Sequence, residues 1–235
     1  MNGWRFPDRR SAGRLLATQL DAYAGRSDVV VLGLPRGGVP VAFEVAGALD
    51  APLDVFVVRK LGVPFQPELA MGAIASGGIQ VLNDDVVAMA DITPDMIARA
   101  LSAEEHEVAR RERMYRDDSP ALALTGKIVI VVDDGLATGS TMRAAVEAVR
   151  RLQPARVIVA IPVAAPGTCQ LLARTADEVI CLQMPMPFSA VGLWYEDFSQ
   201  TTDEEVRALL EQASARVATR TSSIPRGKSR SANTA

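Results

Sequence analysis

Five short runs of mostly Val, Ile and Leu recur along the chain, at residues 29–34, 53–58, 127–132, 156–161 and 178–182. Their near-continuous apolar character marks strands buried on both faces and so a mainly parallel sheet. Parallel neighbours cannot be joined by a tight turn and need a crossover of about a dozen residues or more. Helical patterns at 39–48, 140–152 and 167–174 supply such crossovers. The expected fold is therefore α/β with a mainly parallel, doubly wound sheet. At 235 residues the chain is long enough for one well-buried core, whereas two full domains would both be small.

The rhythm breaks between residues 71 and 118. Residues 71–75 and 79–83, separated by Ser76-Gly77-Gly78, have the pattern of a hairpin. Thr93-Pro94 then opens a long helix with Thr as N-cap and Pro at the first helical position, and Ile97, Leu101, Val108 and Tyr115 share one stripe of it. We expect this hairpin-plus-long-helix insertion to flank the core. Ala12, Leu15, Leu16, Leu20 and Tyr23 form a helical stripe expected to pack on the sheet edge. Thr202 and Glu205 make a capping box before a helix with Val206, Leu209, Leu210, Ala213 and Val217 on its apolar face. One domain is expected over residues 1–220, its ordered fold finishing near Ala218. Residues 221–235, rich in Ser, Arg, Lys and Gly, are expected to be a disordered tail.

Lys and Arg number 25 against 28 Asp and Glu, so the net charge of −3 gives no global drive toward nucleic acid or an acidic membrane. Any anion site has to be built locally. The first ten residues hold Arg5, Asp8, Arg9 and Arg10 with no apolar run, and no later stretch approaches the roughly 18 apolar residues of a membrane span. A cytoplasmic location is expected. Cys169 and Cys181 lack metal-ligand spacing and are expected there as two buried thiols.

The chemistry concentrates in residues 128–142, IVIVVDDGLATGSTM: a buried strand, two adjacent acids, a small-residue loop and the first turn of a helix. At a parallel strand's carboxyl end, beside a helix N-terminus, backbone N–H groups point outward and the helix dipole favours an anion. The loop Ala137-Thr138-Gly139-Ser140-Thr141 suits a phosphate, because Gly139 lets the backbone come close and three hydroxyls add donors. Asp133 and Asp134 at the strand tip can accept hydrogen bonds from two vicinal hydroxyls. Phosphate plus diol describes a ribose 5-phosphate. The segment is neither a P-loop nor a dinucleotide fingerprint, since G-x-x-x-x-G-K-[ST] and strand-linked G-x-G-x-x-G are both missing.

An apolar strand followed by D-D-G-x-A-T-G-S-T closely resembles the signature with which type I phosphoribosyltransferases bind 5-phosphoribosyl-1-pyrophosphate (PRPP). The resemblance implies a Mg²⁺-dependent pentosyltransferase that takes PRPP and a small nitrogen acceptor, with no role for nucleic acid or membrane. A homodimer stays open. It implies that Asp133 and Asp134 hold the ribose hydroxyls and help hold Mg²⁺ through water, and that Ala137 through Thr141 hold the 5-phosphate. Residues 33–40, GLPRGGVP, resemble the family's pyrophosphate loop, with Arg36 as the charge and Gly37 and Gly38 as backbone donors; that loop can carry a non-proline cis peptide. Arg59 and Lys60 end the second run, where Lys60 is the better analogue of a pyrophosphate partner. Residues 67–75, PELAMGAIA, are similar to a less characterised bacterial branch, and Glu68 is a candidate acid of the acceptor site.

Residues 183–200 are expected to form a C-terminal hood, with Phe188, Trp194 and Tyr195 as flat surfaces for an acceptor ring. The helix with Arg110, Arg111, Arg113 and Arg116 holds i,i+4 pairs, Glu107 with Arg111 and Glu112 with Arg116, which favour a solvated face over catalysis. His106 is expected at the surface. Ala137 stands where hypoxanthine–guanine enzymes of the family carry an Asp that exchanges a proton with the purine, so those bases are expected to be poor acceptors. The competing reading is a non-catalytic regulator that senses PRPP or a nucleotide on the same fold.

Overall fold

The computed structural model describes residues 4–117 and 119–223. Its centre is a parallel sheet of β1 (Val29–Gly33), β2 (Leu53–Val55), β6 (Ile128–Val132), β7 (Arg156–Val163) and β8 (Glu178–Gln183), in the order β2-β1-β6-β7-β8. Successive side chains of a strand point to opposite faces, and both faces here are covered. Val29 and Val31, with Ile128, Ile130 and Val132, pack beneath α2 (Gly38–Leu49). Val30 and Leu32, with Val129 and Val131, pack toward α5 (Ser140–Arg151) and α6 (Pro166–Leu172). The continuous apolar runs of β1 and β6 are thus explained by burial on two sides, whereas the edge strand β8 is half-buried throughout.

The second apolar run is two strands rather than one. The parallel strand β2 stops at Val55, and Val58–Val63 is β3, which pairs antiparallel with β4 (Gln66–Ala75). The hairpin of β4 with β5 (Ile79–Leu82) is present as the sequence implies, so a three-stranded sheet β3-β4-β5 stands beside the main one. Arg59 and Lys60 therefore lie within this second sheet, not at the carboxyl edge of a core strand. After a short α3 (Asp84–Met89), the long α4 (Pro94–Arg116) starts as expected, with the Thr93 hydroxyl accepting from Met96 N.

The N-terminal α1 (Arg9–Ala17) packs chiefly on α2, with the Leu16 and Ala12 side chains buried and Leu15 turned outward, which replaces the expected edge packing. The C-terminal α7 (Asp203–Ser223) has its cap, Glu205 N donating to Thr202 Oγ1 at 3.1 Å, and continues past Ala218 to Ser223. The expected tail falls mostly outside the described residues. Cys169 of α6 and Cys181 of β8 form a disulfide with Cα atoms 6.9 Å apart, which corrects the expectation of two thiols. Their twelve-residue separation gives no sign of pairing; the packing of α6 beside β8 creates it. Among the described residues, no helix is long and apolar enough to cross a membrane.

Strand order reverses between β1 and β6: the chain leaves β1 through α2 toward β2, then returns to β6 on the other side. In an open α/β sheet the crevice beyond such a switch point gathers ligands.

Candidate active site

Two loops leave the carboxyl ends of β1 and β6 side by side, with Gly33 opposite Val132 and Leu34 N donating to Val132 O at 2.9 Å. The first loop contains the cis peptide Pro35–Arg36 and then opens α2. A side chain at Gly38 would sit 2.8 Å from Val132 O and 3.0 Å from Asp133 Oδ1, and one at Gly37 would overlap Asp134 Oδ2. The glycines are what lets the two loops touch. Arg36 Nη1 lies 4.0 Å from Asp203 Oδ2 at the start of α7, and Tyr115 Oη of α4 donates to Asp203 Oδ1 at 2.6 Å.

The second loop carries both acids. Asp133 Oδ1 accepts from Asp134 N at 2.9 Å, and burial together with the neighbouring Asp134 carboxylate pushes the Asp133 carboxyl well above its ordinary value. Burial also raises Asp134, against the opposing hydrogen bond from Arg9. Further on, Gly139 takes φ 70°, the left-handed conformation that Gly adopts at no steric cost, and serves as N-cap of α5 without a side-chain partner. Thr168 Oγ1 of α6 donates to Ala137 O at 2.6 Å and steadies the loop from behind. Thr138, Ser140 and Thr141 are exposed in front of the helix N-terminus, Thr138 Oγ1 and Ser140 Oγ lying 3.2 Å apart. Free amides, hydroxyls and the helix dipole converge there, which is the physical description of an anion site.

A cavity of about 570 Å³ opens between the β3-β4-β5 sheet and α5, and its lining joins Lys60 to Ser140 and Thr141. It also includes Asn83, Asp84, Arg143 and Glu147, but neither Asp133 nor Asp134. Lys60 thus flanks the phosphate loop across this cavity, while Arg59 points away to α4, with Nε donating to Glu104 Oε2 at 2.7 Å. The side chain of Glu68 lies outside the described residues.

The hood residues pack inward. Tyr195 is buried, its ring lying 5.4 Å from Phe6 and 5.1 Å from Phe198, and its hydroxyl donates to the Asp134 carbonyl at 2.5 Å. Phe188 and Trp194, half-buried, pack against the same small cluster. Tyr195 supports the acid loop from behind and offers no open face for stacking.

Arg110, Arg111 and Arg116 of α4 are tied down. Glu107 meets Arg110 at 2.8 Å and Arg111 at 2.7 Å, and those hydrogen bonds hold its carboxyl down at about 2. Arg116 bonds Glu112 and Asp54, each at 2.8 Å, and Val55 O at 2.6 Å, pinning the end of α4 to β2. His106 is exposed, with Nδ1 2.7 Å from Ser102 O. The residue not anticipated from sequence is Arg9. Its Nε donates to Asp134 Oδ2 at 2.8 Å, and its Nη1 donates to Ser199 O at 2.6 Å.

A switch-point crevice with an acid pair, a helix-capping anion loop and a cis-peptide loop is a type I phosphoribosyltransferase-like site. Residues 7–197 match the phosphoribosyl transferase domain family, and the chain belongs to that family. It is 50% identical over 212 residues to Rv0571c of Mycobacterium tuberculosis, whose assigned name proposes a phosphoribosyl transferase; the match covers 88% of this chain and 47% of that protein. The chain therefore spans about half the length of the curated relatives it matches most fully. Among solved structures it is similar to TT1426 from Thermus thermophilus, with a TM-score of 0.81 and 45% identity over 88% of this chain and 98% of that one. A more distant relative, the bifunctional protein PyrR of Clostridium novyi, is 26% identical over 60% of each chain.

Proposed function

We propose that this protein moves the 5-phosphoribosyl group from PRPP to a nitrogen acceptor, a nucleobase or related heterocycle, with release of pyrophosphate. The observation that carries the proposal is the contact between the two loops: the acid pair of one, six residues before the α5 start at Ser140, lies against Gly37 and Gly38 of the other. In this assignment Ala137 to Thr141 hold the 5-phosphate, Asp133 and Asp134 the ribose hydroxyls, and Arg36 with the Gly37 and Gly38 amides the pyrophosphate. Lys60 approaches from the cavity wall.

Mg²⁺ fits such a site, because it takes one or two carboxylates and fills its shell with water and substrate phosphate oxygens. Asp133 and Asp134 would hold it through water. Its contribution would be to neutralise charge on the leaving pyrophosphate. The protein's own part is positioning and charge. As C1′ develops oxocarbenium character, Arg36, Lys60 and the loop amides stabilise the departing group, each well-aimed donor contributing about 3 kcal/mol.

Ala137 has no group to exchange a proton with a purine, so hypoxanthine and guanine should turn over at least roughly 10²-fold more slowly than a good acceptor. The test is pyrophosphate release from PRPP and Mg²⁺ across a panel of nucleobases and small amines. Turnover with one of them establishes the enzyme, and efficient IMP or GMP formation contradicts the exclusion. PRPP binding without turnover, together with salt-dependent binding of nucleic acid, would establish the regulator instead.

A further inference from the structure

Arg9 stands where helix electrostatics disfavour it. It is the first residue of α1, and a cation in a helix's first turn faces the positive end of the dipole. Three contacts hold it there nonetheless. Nε donates to Asp134 Oδ2 at 2.8 Å, Nη1 donates to Ser199 O at 2.6 Å, and the guanidinium carbon lies 3.9 Å from the centroid of the Phe198 ring. The side chain is only 12% exposed and that of Asp134 only 14%. One planar fork thus reaches a carboxylate, a carbonyl and an aromatic face at once, which suits Arg and which a Lys ammonium cannot reproduce.

The segment leading into Arg9 is strapped to the hood. Phe6 N donates to Trp194 O at 2.8 Å, Glu196 N to Phe6 O at 2.8 Å, and Asp197 N to Pro7 O at 2.9 Å. Asp8 then caps α1 by accepting from Ser11 N at 2.6 Å. Arg9 is therefore delivered to Asp134 by rigid structure. Gly37 closes on the same oxygen: a side chain there would overlap Asp134 Oδ2 and stand 3.2 Å from Arg9 Nε.

We propose that Arg9 is a positioning residue for Asp134, setting the direction of its carboxylate so that it meets a sugar hydroxyl. The role rests on the reading of the diol site given above. It makes the ribose end of the site a joint product of three distant segments: the strap before α1, the acid loop after β6, and the hood. Supporting contacts of this kind fix a functional carboxylate more closely than its own rotamer can. Arg9 donates to Asp134 and Ser199 and not to Arg36, and it meets the Arg36-Gly37-Gly38 loop only by close approach to Gly37, where a Cβ would stand 3.2 Å from its Nε.

The two ends can be separated with two probes. Calorimetry would measure the binding of ribose 5-phosphate and of metal-free pyrophosphate to the whole chain and to Arg9→Ala, Arg9→Lys and Arg9→Gln. Arg9→Ala is expected to weaken ribose 5-phosphate at least about tenfold, the loss of one charge-assisted hydrogen bond, and to change pyrophosphate less than twofold. Arg9→Lys should recover part of the loss, because it restores a donor to Asp134 without the Ser199 bond. Arg9→Gln guards against a folding failure by keeping the bulk of the side chain without its charge, and, having no cation for Asp134, it should rescue less than Arg9→Lys. Unchanged ribose 5-phosphate affinity, an equal loss of both probes, or Arg9→Lys no better than Arg9→Ala would each overturn the positioning role. If the unaltered protein binds neither probe, the diol site itself fails and Arg9's role falls with it; if it binds both and Arg9→Ala matches it, only the Arg9 proposal falls.

Discussion

Tyr115 and Asp203, 88 residues apart, are joined by a 2.6 Å hydrogen bond from the Tyr115 hydroxyl to the carboxylate that also faces Arg36. The insertion helix α4 is thereby coupled to the Arg36 loop through the first residue of α7. Burial and the Asp203 contact both push the Tyr115 hydroxyl well above its ordinary value, so it remains a donor through the whole neutral range. Tyr115→Phe keeps the ring and removes only this bond, which should lower the unfolding free energy by about 1 kcal/mol. Urea denaturation would check it, with the midpoint falling and the slope unchanged; a midpoint that does not move would show the bond to be energetically idle.

Arg116 and Asp54 form the most enclosed ion pair of the described residues, with side chains 11% and 8% exposed. Asp54 also accepts from the Val55 and Leu122 amides. Arg116→Met would leave a buried carboxylate without its cation, for which the cost is typically about 3–5 kcal/mol. The expected result is a large loss of stability by chemical denaturation, with ligand affinity intact in whatever fraction remains folded. A catalytic arginine would show the opposite pattern.

Asp133 supplies a pH prediction. Its carboxyl is raised above the ordinary 3.8 by burial first and by the Asp134 charge second. A raised native value means that the folded state holds the proton longer than the unfolded state, so ionisation costs stability as pH climbs above 3.8. Asp133→Asn removes that cost. The stability of the variant relative to the parent should be flat below 3.8, increase as pH rises toward the native value, and level off above it. Paired denaturation curves from acid to neutral pH would check the sign; a variant less stable at neutral pH than in acid, relative to the parent, would contradict it.

The sheet was legible because β-branched runs buried on both faces leave little room for another periodicity. The break after Val55 was not, since Phe56 and Val57 are as apolar and buried as the strands they separate. The strand-to-helix turn at Gly139 was legible from residue types and order alone. Arg9 was not, because its partner lies 125 residues away, although two arginines directly after an N-capping Asp were a signal: the helix dipole disfavours them there. Tyr195 was not legible as a buried residue for a related reason: its packing against Phe6, far off in sequence, turns it into a prop for Asp134 rather than an open stacking face.

The most direct test of the site is calorimetric titration of PRPP in Mg²⁺ into the protein and into Asp133→Asn with Asp134→Asn. The parent should bind, and the double variant should lose at least about tenfold in affinity, since two carboxylates that accept from the sugar hydroxyls are gone, while remaining folded. Equal PRPP affinity in the two proteins would contradict the assignment of the acid pair.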